Sequence, residues 1–456
     1  MVGDVYAAPN ITWSSSLPSG LSVDTGTLSP DQTFVMSNGV IAIGSAPCPE
    51  SPWLCTKTEI YPSNQAFWAL DANTGKVKWT IPLSNGSVIR PVAANEKLIF
   101  AAYSNPDQQE TASLFKTLAL DAQTGHIIWI IPRPNWNGDP LLAGNMIITP
   151  DEMNPGNWTN PDPTLTAYNS FTGALEWRIH TAPIENSVSD AAYGSGRIFA
   201  VGGQVGTYST NMLTAYDASS GLKKWTRTLP SVGCPIYMNG VVFVTQSLDP
   251  QATPIITLNL MALNATTGQA FWNNTIGHLW DGDSWACPMV GEDHIFAFTY
   301  GGPYPALPAL VAFNLSDGRE VWRHTFPCEQ DPLDPTMCRS VLWNHQAVGD
   351  SMVFAAAGFL YGIDADSGNV TWSYGFTADN WNPLGYVNGV LYALNTPNGF
   401  SPFLSAFAIT QSTVAEMPSG GAVLILGAVL LGAQAFMALR TSDRGRRRGS
   451  LRGRRE

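Results

Sequence analysis

The feature that most constrains this chain is a nine-residue pattern, Asp/Asn-x-x-Thr/Ser/Asp-Gly-x-x-x-Trp, which occurs seven times at a near-constant period. It reads DANTGKVKW ending at Trp79, DAQTGHIIW at Trp129, NSFTGALEW at Trp177 and DASSGLKKW at Trp225. It continues as NATTGQAFW at Trp272, NLSDGREVW at Trp322 and DADSGNVTW at Trp372. Successive tryptophans stand 50, 48, 48, 47, 50 and 50 residues apart. Self-similarity at such a period means a stack or ring of identical units rather than several unrelated domains.

Each occurrence carries its own local physics. An apolar run such as FWAL, KTLAL, LTAY, LMAL, LVAF or LYGI precedes it, as suits a β-strand. Asp or Asn then bonds its own backbone to start a turn, and Gly supplies the positive φ of a tight hairpin. The strand resumes and presents Trp four residues past the Gly. A second apolar pair follows, as in EKLIFAAYS, GRIFAVGG or GVVFVTQS. Four short strands per unit of about 48 residues is the blade of a propeller.

The two ends supply the closure. NITWSSSLPSG resembles VKWTIPLSNG, so Trp13 is an eighth tryptophan without its turn. Phe403–Thr410, FLSAFAIT, resembles LVAFNLS and stops before any turn or Trp. Each end is half of one hairpin, and joining them removes the exposed edges. The expected fold is an all-β, eight-bladed propeller over residues 11–410, its last blade made by both ends. Residues 1–10 are expected to be a leader or a flexible segment. The 66-residue gap from Trp13 to Trp79 is taken up by a loop between Cys48 and Cys55.

At this point the chain resembles the pyrroloquinoline-quinone (PQQ) repeat propellers. The A-x-D-x-x-T-G-x-x-x-W match is best at Ala69–Trp79, Ala119–Trp129 and Ala215–Trp225. The resemblance implies that Trp13, Trp79, Trp129, Trp177, Trp225, Trp272, Trp322 and Trp372 wedge between neighbouring blades. It also implies two kinds of member: dehydrogenases that hold PQQ and Ca²⁺ in the channel and oxidise alcohols or sugars, and PQQ-like scaffolds without cofactor. No adjacent Cys-Cys pair roofs a quinone here, the blades lack long insertions, and no C-x-x-C-H haem attachment occurs. The dehydrogenases' Ca²⁺ ligands find no matching motif. The scaffold branch, with no cofactor, is therefore expected, and the PQQ-dependent oxidoreductase is the alternative.

Charge and cysteines narrow the setting. Eight Arg against Asp443 and Glu456 give the stretch 440–456 about +6, so the formal net charge of −12 leaves the rest of the chain near −18. An acidic body excludes nucleic acid as a partner. Cys48 and Cys55 bracket one Pro-rich loop, and Cys328 and Cys338 another, the pattern of local disulfides in an oxidising compartment. Cys234 and Cys287, both in Cys-Pro dipeptides of adjacent blades, form a third bridge or remain thiols. Seven N-x-S/T sequons, from Asn10 to Asn369, accompany them.

Met417–Leu439 carries no charge and is followed at once by Arg440. About 20 helical residues cover a hydrocarbon core, and the arginines belong on the cytoplasmic side. The expected order is a stalk at 411–419, a transmembrane helix at 420–439 and a basic tail at 440–456 against anionic lipid. The propeller would be extracellular or lumenal, in a single-pass type I arrangement. A cleaved surface-sorting signal has the same form. MVGDVYAAPN shows no signal peptide, so Met1 is expected to lie inside a longer precursor.

Candidate channel residues are Arg90, Asp139, Asp190 and His345, which with Cys234 and Cys287 stand at corresponding points where a polar stretch leads into the innermost strand, and Trp285 and Trp381 nearby. Such a ring suits a small polar anion or a peptide end, or is a solvated funnel mouth. No residue reads as catalytic and no histidine pair has metal spacing. The expected activity is binding of a protein or polymer partner on a propeller face. A lumenal sensor coupled through the helix is a third reading.

Overall fold

A computed structural model describes residues 10–16, 34–44, 66–83, 87–104, 115–134, 138–152, 162–181, 188–203, 211–230, 232–247, 255–280, 287–299, 307–326, 347–349, 351–356, 359–375, 381–395 and 403–409. These residues form thirty-two strands, β1 to β32 in chain order, in eight antiparallel four-stranded sheets. Blade 2 shows the plan: β6 (Val88–Ala94), β7 (Leu98–Ser104), β8 (Phe115–Asp121) and β9 (Ile127–Arg133), each paired with the one before.

The first strands are β2 (Phe34–Ser37), β6, β10 (Leu141–Ala143), β14 (Val188–Gly194), β18 (Val232–Met238), β22 (Met289–Val290), β26 (Ala347–Gly349) and β30 (Trp381–Val387). From β2 to β30 each touches the first strand of the next blade, so together they face the centre of the ring. The last strands form the outer rim. They are β5 (Val77–Pro82), β9, β13 (Leu175–His180), β17 (Lys223–Leu229), β21 (Ala270–Trp280), β25 (Glu320–Thr325) and β29 (Val370–Tyr374). In the closing blade that place is taken by β1 (Asn10–Ser16), which pairs antiparallel with β32 (Phe403–Ala408) beyond β31 (Val390–Asn395).

The core lies in the seams. Eight apolar clusters occur among the described residues, and each is shared by two neighbouring blades. Between blades 1 and 2, for example, Val40, Phe67 and Ala69 meet Ile99, Ala101 and Leu120. No blade buries its faces alone, which is why the units need one another.

The outer hairpin shows what each motif residue does. Asp121 Oδ1 accepts from the backbone N–H of Gln123 (3.0 Å) and Thr124 (2.9 Å) and from the Thr124 hydroxyl (2.8 Å). The Thr124 hydroxyl bond leads the set of interactions holding this carboxyl below the usual range, although burial opposes it. Asn169, Asn264 and Asn314 make the corresponding backbone bonds in their blades without a charge. Gly125 has φ of +71°, and a Cβ there would sit 2.6 Å from Cδ2 of Trp79 in the preceding blade. The glycine is thus required twice, by the backbone and by the indole lying over it.

One residue before each Trp the ladder slips by one, a β-bulge that places Trp79, Trp129, Trp177, Trp225, Trp272 and Trp322 opposite an alanine. The indole then reaches across the seam. Its N–H donates to a carbonyl of the next blade's turn: Trp13 to Ala72 (2.9 Å), Trp79 to Ala122 (2.9 Å), Trp129 to Ser170 (3.0 Å) and Trp177 to Ala218 (2.9 Å). Trp225 reaches Ala265 (3.0 Å), Trp272 reaches Leu315 (3.1 Å) and Trp322 reaches Ala365 (2.8 Å).

Trp372 departs from this pattern. It faces Gly362 instead of alanine, lies buried in the seam between blades 7 and 8, and its Nε1 has no acceptor among the described residues. A Cβ on Gly362 would overlap the indole, so the ring has folded back over its own blade. The cause is the closing blade. Its outer hairpin is assembled from β32 and β1, and no Asp-x-x-Thr-Gly turn follows β32 to receive the ring.

Met417–Leu439, the segment expected to span a membrane, lies outside the described residues. So do Cys48, Cys55, Cys328 and Cys338, together with the side chain of Cys234. Among the described residues no helix is long and apolar enough to cross a membrane. Cys287 is half-buried just before β22.

Substitution of Gly125 separates the two demands on this position. Gly39 has φ of +73° and open space around it, so Gly39→Ala is expected to cost only the left-handed backbone strain, ~1–2 kcal/mol. Gly125→Ala adds the clash with Trp79 and is expected to cost ~1–3 kcal/mol more. Urea unfolding followed by tryptophan fluorescence checks this; equal losses would remove the steric account.

Candidate functional site

Where the first strands of blades 8, 1, 2 and 3 converge, they line an open pocket of ≈ 420 Å³. Its lining is Val35 and Met36 from β2, Val92, Ala93 and Ala94 from β6, Pro140, Leu141 and Leu142 at β10, and Leu384 from β30. All nine side chains are apolar. Such a wall offers shape and dispersion but no fixed hydrogen-bond donor or acceptor side chain.

The charged groups stand at its edge. Arg90 lies on β6 two residues before Val92, and Asp139 immediately precedes Pro140. Arg90 Nη2 donates to Asp139 Oδ1 at 3.3 Å. Burial pushes the Asp139 carboxyl above the ordinary carboxylate range, against the pull of the Arg90 and Arg133 guanidinium groups. Arg133, at the end of β9, is itself buried. Its Nε donates to Asp151 Oδ1 at 2.7 Å, and its Nη2 donates to the carbonyls of Gly138 (3.1 Å) and Pro150. Asp151 sits on β11 (Met146–Glu152), and its Oδ2 accepts from the Thr149 hydroxyl at 2.8 Å.

Two arginines from blade 2 therefore meet two aspartates from blade 3, charge for charge. Each Arg has a carboxylate and Asp151 a further hydroxyl, which is what allows such charges to stay buried. The arrangement clamps a seam; it does not leave a cation free for a ligand.

Of the six candidates read from sequence, the structure brings Arg90 and Asp139 together. Asp190 lies on β14, where its Oδ1 accepts from the Ala191 N–H at 2.9 Å. Trp381 opens β30 but does not line the pocket. It is 3% exposed and packs against Tyr374 and Phe407 at 5.5 and 5.7 Å between ring centroids, inside the seam of blades 7 and 8. Trp285 and His345 lie outside the described residues. Among the described residues no group of three or more His, Cys, Asp or Glu could hold a metal ion. Sequence reasoning missed Arg133 and Asp151. The available signal was Pro150-Asp151-Glu152 in a second strand, where other blades carry LIFAAYS or RIFAVGG.

The fold and its repeats can now be set beside known proteins. The PQQ repeat family described as "Outer membrane protein assembly factor BamB" matches residues 60–135, 110–232, 137–306, 209–384 and 308–408. The chain belongs to this family. No curated protein matches it individually. Among solved structures it is similar to BamB from Moraxella catarrhalis, at 14% identity and TM-score 0.50, over 88% of this chain and 100% of that one. A quinohemoprotein alcohol dehydrogenase from Pseudomonas putida aligns at 11% identity and TM-score 0.55, over 90% of this chain and 77% of that one. Sqt1 from Saccharomyces cerevisiae aligns at 10% identity and TM-score 0.54, covering 89% and 100%. At these identities the likeness is one of fold.

The charged seam gives a direct expectation. Asp151→Ala strands the Arg133 guanidinium in the interior and should cost ~3–5 kcal/mol. Replacing both partners with apolar residues, Arg133→Met with Asp151→Leu, should recover most of that loss. Chemical denaturation of the three chains is the check; a double variant as unstable as Asp151→Ala would mean that shape, not charge, governs the site.

Proposed function

We propose that this chain works as an interaction scaffold, a membrane-anchored PQQ-like propeller that holds a protein or polymer partner on its outer surfaces. The observation that carries this reading is that every side chain lining the pocket between the first strands of blades 8, 1, 2 and 3 is apolar. PQQ is a polyanion, and with Ca²⁺ it needs several oxygen ligands as well as fixed cations. The nine side chains that line the pocket supply neither, and Arg90 at its edge is paired with Asp139. These residues do not fit the cofactor, and no catalytic step is derived through it. Membership of a family described as an assembly factor supports the same reading. A PQQ-dependent oxidoreductase of alcohols or sugars is the second reading, and the shared fold with a quinohemoprotein dehydrogenase is what favours it.

Titration of the full chain with PQQ, with and without Ca²⁺, followed by dye reduction on alcohols and sugars, separates the two. No binding up to high micromolar quinone is expected. Tight Ca²⁺-dependent binding with turnover would replace the scaffold reading by the enzymatic one.

Anchoring rests on Met417–Leu439 and the arginines that follow it. The propeller then stands outside the cytosol, with the tail against lipid headgroups on the inner side. Membranes from cells making the full chain, washed in alkaline carbonate, should retain it, and deletion of 417–439 should release it. A full chain that washes off would refute the anchor.

A further inference from the structure

Every propeller blade exposes the free edge of its outermost strand, and most of the eight edges here are blunted in the same way. The two residues flanking the docking Trp are Thr12 and Ser14, Lys78 and Thr80, Glu176 and Arg178, Lys224 and Thr226, and Thr371 and Ser373 in five of them. Blades 5 and 6 pair one apolar residue with Asn273 or Arg323. Charged and polar side chains at an edge discourage another chain from adding a strand. Blade 2 alone is apolar at both positions, with Ile128 and Ile130. Ile127, Ile128 and Ile130 are 38%, 47% and 50% exposed. The edge strand β9 thus reads Ile-Ile-Trp-Ile-Ile with no charge before Arg133, which is turned inward to Asp151.

We infer that β9 is a strand-addition site, which takes up an extended, aliphatic segment of a partner polypeptide as a fifth strand of blade 2. The inference rests on the scaffold reading and names the surface that reading leaves open. Main-chain hydrogen bonds along the open edge would supply affinity, and alternate β-branched side chains would cover the isoleucines.

Size and charge argue for a short segment rather than a second copy of this chain. Three half-exposed isoleucines fall well short of the about 800 Å² per partner that a stable pairing of two folded proteins buries. Two bodies each near −18 would also repel one another at an edge-to-edge contact. A strand with basic flanks would instead be drawn in.

The probe is an octapeptide of alternating valine and threonine with lysine at both ends, added to the full chain. Fluorescence anisotropy should show saturable binding, with slowed amide exchange confined to blade 2 at Ile127–Ile131. Ile128→Lys with Ile130→Lys, which copies the polar pattern of the other blades, should weaken binding at least tenfold. Lys78→Ile with Thr80→Ile should create a second site on blade 1, so the inference stays testable if the lysine variant folds poorly. No binding at millimolar peptide, or protection elsewhere, overturns it. Self-association in sedimentation that both lysines abolish would assign the edge to a second copy and also overturn it. A natural partner still held by the lysine variant would preserve the scaffold reading and remove β9 from it.

Discussion

The structure depends on one contact, an indole N–H that reaches out of its own blade to a backbone carbonyl in the turn of the next. The contact has several prerequisites. A bulge one residue before the Trp turns the ring outward. An alanine opposite leaves room beside it, and a glycine under it keeps the receiving turn flat. An aspartate or asparagine shapes that turn by bonding its own backbone. Each motif residue thus serves either the giving or the receiving side of the same joint. Because the apolar core is distributed over the seams, fixing the joint also fixes the core.

This explains why so much of the fold was legible in the residues. Strand pairs, turns and the ring of tryptophans follow from a motif whose parts have separate mechanical roles. The split closing blade followed from two half-hairpins, and β1 does pair with β32, Trp13 opposite Ala406. Trp372 was not legible as an exception. Its own motif, DADSGNVTW, is complete, and the difference lies in what the neighbouring blade lacks.

The candidate site was legible only in part, and the reason is geometric. Placing side chains on one face of a strand relies on strict alternation. The innermost strands break it: the register slips between Pro91 and Ala93, Val188 and Asp190, Gly233 and Ile236, and Pro383 and Gly385. Aligning such strands from blade to blade therefore slips as well, and Trp381, named as lying near the ring, packs in the seam of blades 7 and 8. Arg133 and Asp151 were hidden for another reason. They are 18 residues apart on strands of different blades, and only the packing of those blades brings their charges together.

The closing blade has a consequence for the order of events during folding. Each docking bond after the first joins residues 40 to 43 apart, so blades can latch as they are made. The bond from the Thr12 hydroxyl to Ala406 instead spans 394 residues. Closing so long a loop costs about 2 kcal/mol more than closing one of some 40 residues, a modest thermodynamic penalty. The kinetic effect is larger. Until residue 408 has been synthesised β1 has no partner, and the growing arc keeps an unpaired strand at its beginning throughout translation. The polar run Thr12, Ser14, Ser15 and Ser16 suits a strand that must wait in water for the whole length of the chain.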